Sequence, residues 1–226
     1  MNATISHGKE LEYSNVLLVP QESDLSSRSD ADTRITVGDF DFHLPVVPAN
    51  METVIDLEVA KILDDAGYFY VMHRFDDIFK TLQYMHHNKF RCKSISVGVN
   101  QDTYDALDKI LDTSYFIDII TVDVAHGHHI KAENMVRYIK SRFPDTTIIA
   151  GNVGTYDGFK FLEDAGADIV KVGIGSGVIC TTRFKTGFGT PMFSTIQKIF
   201  HTSNKAKIMA DGGCKHFGDI AKAFAA

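Results

Sequence analysis

Seven short runs of apolar and β-branched residues recur along this chain at nearly even intervals, and this spacing limits the possible folds more than any other feature. Successive runs begin 25, 25, 25, 28, 22 and 38 residues apart. Such runs are typical of strands buried on both faces, and each interval leaves room for one helix. We therefore predict repeated strand–helix units around a parallel sheet, an α/β fold. The predicted strands are Leu44–Val47, Phe69–Met72, Ser94–Val97, Ile119–Val122, Thr147–Ala150, Ile169–Val172 and Lys207–Ala210. The segments between them are predicted to be helices, among them 57–66, 132–143 and 155–165.

Polar residues and glycines follow nearly every predicted strand. This favours a (β/α)8 TIM barrel over a doubly wound sheet, because all strand ends of a barrel share one face, whereas a doubly wound sheet has one switch point. Seven units are counted, and the chain ends within a helical run, 219–226. We therefore expect residues 1–226 to form a single, C-terminally incomplete TIM-barrel domain. The strand-end residues are Asn50, His73–Arg74, Gly98, Asp123, Gly151–Asn152, Gly173–Gly175 and Asp211–Gly213.

Charge and composition exclude several classes of protein. Lys and Arg total 23 against 29 Asp and Glu, a net charge of -6, which argues against a nucleic-acid binder. No apolar stretch approaches the roughly 18 residues that span a bilayer, so we expect no membrane association. The three cysteines, Cys92, Cys180 and Cys214, are too few and too far apart for a disulfide framework. Without a secretory signal at the start of the sequence, the expected location is the cytoplasm.

The longest interval contains the strongest candidate for chemistry. Gly173, Gly175 and Gly177 alternate with other residues, which lets several backbone groups approach a cation or a phosphate. Cys180 follows among hydroxyls and Arg183, where a thiolate nucleophile could be stabilised. The alternative is a glycine-rich turn with a buried structural cysteine. A long connection in a regular repeat favours function.

Two further motifs have a functional and a structural interpretation. Asp211, Gly212 and Gly213 end a strand and open a helix, a place that suits a phosphate, although many strands end in Asp-Gly for turn geometry alone. A histidine cluster, 126–129, follows the fourth strand. A metal site is possible there, but the histidines do not have the spacing of a helical ligand pair.

These motifs resemble those of one known family. From Tyr13 to Ala226 the chain is similar to the inosine-monophosphate dehydrogenase/guanosine-monophosphate reductase family, most specifically in the loop 175–183, where Cys180 is followed by Thr-Thr-Arg. The segments Met72–Phe75 and Lys185–Gly189 resemble the bacterial reductase branch. Supporting motifs are Ser27–Arg28, Pro48–Met51, Asp123–His128, Ala150–Thr155 and Ala210–Gly213.

The resemblance implies a mechanism. Cys180 would attack C2 of the guanine ring of GMP and expel ammonia, leaving a covalent thioimidate, and hydride from NADPH would then give IMP. Thr182 would help to protonate the departing amine. Gly175, Gly177, Cys180 and Arg183 resemble the family's monovalent-cation loop, whose backbone carbonyl ligands suit potassium.

The resemblance also implies a set of binding residues and an assembly. Asp211, Gly212 and Gly213 would hold the ribose and phosphate of the nucleotide. NADPH would lie on the barrel face, since no Gly-rich dinucleotide fingerprint stands between a strand and a helix. Ser27 and Arg28 would reach it from a neighbouring subunit of a homotetramer. The other dinucleotide-lining residues are Asp123, Val124, Ala125, Ile174, Gly175 and Arg74.

Two departures from the family modify this expectation. Ser176 stands where the family usually has proline, which predicts a looser loop and a weaker cation site. The eighth strand, further phosphate-binding glycines and a catalytic glutamate of the family have no counterpart in the chain. Two other functions therefore stay open: oxidation of IMP to XMP with NAD, and an inactive family member that binds only nucleotide or other subunits.

Overall fold

A five-stranded parallel sheet forms the centre of the protein, which a computed structural model describes over residues 10–177, 181–202 and 205–226. An antiparallel hairpin of β1 (Ile35–Val37) and β2 (Phe40–Phe42) precedes this sheet. The sheet strands follow in chain order and are β3 (Ser94–Val97), β4 (Ile119–Asp123), β5 (Thr147–Val153), β6 (Ile169–Val172) and β7 (Lys207–Ala210). The helices are α1 (Leu57–Asp65), α2 (Ile78–His87), α3 (Gln101–Leu111), α4 (Ile130–Arg142), α5 (Tyr156–Ala165), α6 (Thr181–Thr186), α7 (Met192–Phe200) and α8 (Phe217–Ala225).

The predicted α/β class with a parallel sheet is confirmed, and so are the last five predicted strands. The first two predicted strands, Leu44–Val47 and Phe69–Met72, are wrong as strands because neither segment has a strand ladder. Leu44 and Val46 are exposed, so their apolar character does not reflect a strand buried on both faces. Phe69–Met72 is buried, but side-chain hydrogen bonds rather than a strand ladder connect it to β3 and to the residues just before β3. The Ser96 hydroxyl donates to the Met72 carbonyl, and the Tyr70 hydroxyl donates to the Cys92 carbonyl.

The two faces of the sheet have different partners. On the outer face, Val170 and Val172 belong to the large core that the helices cover. On the inner face, Ile119, Ile149 and Ile169 form an apolar layer at the amino ends of the strands. Polar residues occupy the inner face farther along, so the carboxyl ends of the strands are available for a site.

The hairpin closes the amino end of the sheet and was not predicted. Val37 and Phe42 are buried in the inner apolar layer. The ammonium group of Lys207, at the start of β7, donates to the Thr36 carbonyl over 2.8 Å. The signal for the hairpin was a Gly-Asp turn at 38–39 between two alternating apolar segments. Within the described ranges, no helix is both long and apolar enough to cross a bilayer.

We predict that Asp64→Ala destabilises the fold far more than Asp65→Ala. Asp64 is buried, and its carboxylate accepts the backbone N–H groups of Arg91 (2.6 Å) and Cys92 (3.0 Å) just before β3. Its loss leaves buried donors unsatisfied and should cost about 2–4 kcal/mol of unfolding free energy in urea titrations. The exposed Asp65 should cost less than about 0.5 kcal/mol. Equal losses would contradict this role of Asp64.

We also predict that Asp219→Asn weakens the fold in a pH-dependent way. The N–H groups of Lys215 and His216 and the ammonium of Lys222 donate to the Asp219 carboxylate, and the bond from Lys215 contributes most to holding its pKa at about 2. Because the pKa of Asp219 is lower in the folded state, its carboxylate stabilises that state at pH values above the unfolded pKa of 3.8. This stabilisation is lost as the pH falls toward 2. The Tm difference between wild type and variant should therefore shrink below about pH 4. A Tm difference that stays constant from pH 6 to pH 3 would contradict this stabilising role of the Asp219 carboxylate.

Candidate functional site

The carboxyl ends of β4 to β7 bring four polar side chains together, which we call the strand-end cluster: Asp123, Asn152, Lys171 and Asp211. The Lys171 ammonium lies 3.1 Å from Oδ2 of Asp211 and 3.6 Å from Oδ1 of Asp123. The Asn152 amide donates to Oδ2 of Asp211 over 2.6 Å and to the Gly173 carbonyl over 2.9 Å. The cluster therefore links the ends of four neighbouring strands through ion pairs of Lys171 and hydrogen bonds of Asn152.

An irregularity in β5 positions Asn152. The register between β5 and β6 shifts between Gly151 and Val153, so Asn152 has no partner residue in that ladder. Such irregularities redirect a side chain and are common beside active sites. Here the shift accompanies the two hydrogen bonds of the Asn152 side chain across to β6 and to the end of β7.

The glycine loop after β6 packs directly on the Asp211 turn. The Ser176 hydroxyl donates to the Asp211 carbonyl over 2.7 Å. On its other side, the Ile174 carbonyl accepts the N–H of Thr190 over 3.0 Å. The predicted cation-loop and nucleotide residues are thus adjacent in the structure. Ser176, predicted from the sequence to loosen the loop, is hydrogen-bonded to the neighbouring turn.

The described cysteines have distinct surroundings, and the predicted nucleophile Cys180 lies outside the described residues. Cys92 is completely buried, and desolvation, the largest cause, raises the pKa of its thiol. Cys214 is exposed, and desolvation followed by the charge of Asp219 raises the pKa of its thiol as well. Neither of the described cysteines is in the thiolate form that a nucleophile needs at neutral pH.

Arg74 extends the strand-end cluster toward an open cleft. Its Nε lies 3.6 Å from Oδ2 of Asp123, with 38% of its side chain exposed. The cleft has a volume of about 510 Å³ between α2 and α3, and Gly98, Thr103 and Lys109 also line it. Two residues predicted to line a dinucleotide site, Arg74 and Asp123, are therefore in contact at its edge.

The other predicted site residues fall into three groups. The backbone N–H of Val124 donates to the Gly151 carbonyl, and Ala125 follows it on the same strand-end loop. Thr182 and Arg183 lie in α6, where the Thr182 carbonyl accepts the Thr186 hydroxyl and Arg183 is exposed. Gly175 and Gly177 lie in the loop already described, and Gly212 and Gly213 in the Asp211 turn.

Ser27 and Arg28 are not brought to the site of their own chain. They lie in an exposed segment, where the Ser27 side chain accepts the N–H of Ser29 and the Ser27 N–H donates to Asp30. The described residues around them belong to the same local turn. The predicted role of Ser27 and Arg28 at a dinucleotide site therefore stays a prediction.

The alternative metal site gains no support. The rings of His126 and His128 are 6.3 Å apart, and His129 instead caps α4 by accepting the N–H of Lys131. Across the described ranges there is no group of three or more His, Cys, Asp or Glu side chains that could hold a metal ion.

The sequence analysis missed Lys171 as a site residue and did not assign roles to Asn152 and Asn50. Lys171 was counted only as part of an apolar strand. A lysine inside a four-residue strand buried on both faces was a usable signal, because a buried charge requires partners. Asn50 supplies one of them, since its Oδ1 accepts from the Lys171 ammonium over 2.6 Å.

A family model identifies the class of protein to which this fold belongs. The IMP dehydrogenase / GMP reductase domain matches residues 10–226. The chain therefore belongs to the IMP dehydrogenase/GMP reductase family, as the motifs predicted.

Similar proteins are GMP reductases and an IMP dehydrogenase. The chain is 43% identical over 221 residues to the GMP reductase of Pediococcus pentosaceus, covering 95% of this chain and 66% of that protein. It is 45% identical over 214 residues to that of Variovorax paradoxus, covering 93% and 65%. The crystal structure of inosine 5'-monophosphate dehydrogenase from Legionella pneumophila superposes with a TM-score of 0.84 at 36% identity, covering 96% of this chain and 66% of that one. This superposition supports the TIM-barrel fold, and the chain spans slightly less than two thirds of these relatives.

We predict that Gly175→Ala costs more stability than Gly187→Ala. Both glycines have positive φ, 74° and 77°, which costs a side chain about 1–2 kcal/mol. A Cβ on Gly175 would also lie 2.7 Å from the Phe188 carbonyl oxygen, whereas one on Gly187 meets no described atom within 4 Å. Urea unfolding should show a clearly larger loss for Gly175→Ala. Equal losses would mean that the loop does not pack tightly against 188–190.

Proposed function

We propose that the protein catalyses the NADPH-dependent reductive deamination of GMP to IMP and ammonia, in the interconversion of purine nucleotides. The observation that carries this proposal is the direct packing of the glycine loop on the Asp211 turn, through the bond from Ser176 to the Asp211 carbonyl, in a chain of this family. The loop leads to Cys180 and the turn leads to a helix. A nucleotide held at the turn would therefore present its base to the loop.

The nucleotide would be held by charge and by backbone donors. The Asp211 carboxylate, kept in place by Asn152 and Lys171, suits the two hydroxyls of a ribose, because an ionised carboxylate accepts two hydrogen bonds. Gly212 and Gly213 offer backbone N–H groups to a phosphate without side chains in the way. This arrangement explains how a chain of net charge -6 could bind an anion.

The chemistry would depend on Cys180 and Thr182. The Cys180 sulfur would form a bond to C2 of the guanine, and the bond from C2 to the 2-amino group would break, releasing ammonia after proton transfer through Thr182. Transfer of hydride to C2 of the thioimidate and departure of the thiolate would then give IMP. A thiolate nucleophile divides one difficult displacement into two easier steps.

NADPH would supply the hydride, and the residues present fit it at the edge of the strand-end cluster. Arg74 places a cation at the edge of the open cleft, beside Asp123, which suits a phosphate of the ligand. The cleft also carries Asp76, Asp77 and Asp102, so only the part near Arg74 and Gly98 is favourable for phosphate. Ser27 and Arg28 of a neighbouring subunit in a homotetramer would complete this side.

A potassium ion fits the described part of the glycine loop. Gly175 and Gly177 offer backbone oxygens and no carboxylate, a donor set that suits a monovalent cation. The buried hydroxyl of Thr190, beside the loop, has no hydrogen-bond partner among the described residues. Cys180 and Arg183 would complete the site, and its role would be to hold the loop in shape.

Two other functions compete with this proposal. Similarity to an IMP dehydrogenase structure favours oxidation of IMP to XMP with NAD as the second candidate. A chain that spans about 66% of its relatives could also bind nucleotide or other subunits without turnover. For each of them we expect the cytoplasm as the location.

The test is nucleotide turnover with matched cysteine variants. Purified protein with GMP and NADPH should consume NADPH and form IMP, with no NAD reduction from IMP. Cys180→Ala should reduce this activity by at least about 10³-fold, because loss of a covalent nucleophile removes the main reaction path. Cys214→Ala should keep most of the activity, since Cys214 is exposed and its thiol is not activated.

Three results would contradict the proposal. IMP-dependent NAD reduction without GMP turnover would favour the dehydrogenase. Binding of GMP without any IMP formation would favour the non-catalytic function. Full activity of Cys180→Ala would exclude the covalent mechanism.

A further inference from the structure

A single buried lysine lies between the two halves of the candidate site. Register places Asp123 of β4 beside Gly151 of β5, Gly151 beside Lys171 of β6, and Lys171 beside Met209 of β7. Only 6% of the Lys171 side chain is exposed. Its neighbours Val170 and Val172 face the helices, so Lys171 points to the inner face with the strand-end cluster.

Gly151 provides the space for this lysine. A Cβ at Gly151 would lie 2.5 Å from the Lys171 Cβ and 2.7 Å from its carbonyl oxygen. Any larger residue at position 151 would displace Lys171. The missing side chain also opens the way from β6 across β5 toward Asp123 in β4.

The ammonium has one neutral and two charged partners. Asn50 accepts over 2.6 Å, Asp211 lies at 3.1 Å, and Asp123 lies at 3.6 Å. The ammonium therefore donates a hydrogen bond to Asn50 and forms ion pairs with the two carboxylates. The Asn50 side-chain nitrogen is buried and has no partner among the described residues, so its two N–H donors are unpaired there.

The two carboxylates serve different sides of the site. Asp211 belongs to the turn proposed for GMP and is also bound by Asn152. Asp123 belongs to the side proposed for NADPH and also approaches Arg74. Without Lys171, the inner face would hold two carboxylates with less compensating charge, and each would keep only its contact with Asn152 or Arg74.

We propose that Lys171 is a positioning residue that fixes Asp211 and Asp123 together, so that one charge sets the geometry of both the nucleotide side and the dinucleotide side. This inference rests on the proposed function for the identity of the ligands. It deepens that function by assigning one shared support to the two subsites.

The test measures the affinities for GMP and NADPH in two Lys171 variants and in one control variant at Lys93. For Lys171→Met, calorimetric titration should show GMP and NADPH binding each weakened by at least about tenfold, as for the loss of a charged hydrogen bond. Lys171→Arg keeps the charge and should restore both affinities to within about threefold of wild type. Weakening of only one ligand, or no restoration by Arg, would overturn the shared role.

The matched control is Lys93→Met. Lys93 is equally buried beside the sheet, but just before β3 at the amino end, where its ammonium lies 3.9 Å from Asp118 and 4.1 Å from the Phe116 ring centroid. This variant should lower Tm and leave the affinities for GMP and NADPH within about twofold of wild type, because it perturbs only the packing at the amino end of the sheet. If it weakened both ligands as much as Lys171→Met, a general loss of structure would explain the result and overturn the proposal.

A second measurement keeps the inference independent of turnover and of ligand identity. Thermal unfolding of Lys171→Met, Asp211→Asn and the double variant should show a smaller Tm loss in the double variant than the sum of the single losses. Additive losses would overturn the inference. If the wild type bound neither GMP nor NADPH, the proposed function would fail, while non-additive losses would still support the ionic link.

If Lys171→Met does not fold, Asn50→Ala replaces it. This variant removes one acceptor of the ammonium from a half-buried position. It should weaken both ligands by about threefold, the effect of losing one hydrogen bond in the support. Unchanged affinities for both would overturn the proposal.

Discussion

The inner face of this sheet depends on accommodating one buried ammonium group. A charge removed from water is stable only when partners replace the water. That requirement accounts for features that otherwise look unrelated: a glycine at 151 where the neighbouring strands carry side chains, an asparagine at 50 far away in sequence, and carboxylates at the ends of β4 and β7. Lys171 thus both packs against Gly151 inside the sheet and holds the carboxylates of the candidate site.

The candidate site is built on the connections that follow the strands. The glycine loop and the Asp211 turn follow β6 and β7, and a hydrogen bond from Ser176 joins them. At the opposite end, the β1–β2 hairpin and the apolar layer around Ile149 cover the sheet. One end therefore contributes stability, and the other is the end at which we propose that ligands bind.

Much of this could be predicted from the sequence, because strands buried on both faces leave a strong apolar signal. The strands from β3 to β7 were predicted from that signal, and the polar residues after them indicated the functional face. The segment Phe69–Met72 carries the same signal without a strand ladder, since burial alone does not specify backbone pairing. The contacts of Lys171 could not be predicted, because they join residues up to 121 positions apart and depend on register across four strands. Ser176 illustrates the same limit, because its hydrogen bond to the Asp211 carbonyl joins residues 35 positions apart.

The most direct test of this account is a crystal structure of the protein with GMP. We expect the ribose hydroxyls against the Asp211 carboxylate, the phosphate at Gly212 and Gly213, and C2 of the guanine facing Cys180. We also expect Lys171 to keep its contacts with Asp211 and Asp123. GMP bound away from the strand ends, or with its ribose directed away from Asp211, would contradict the account.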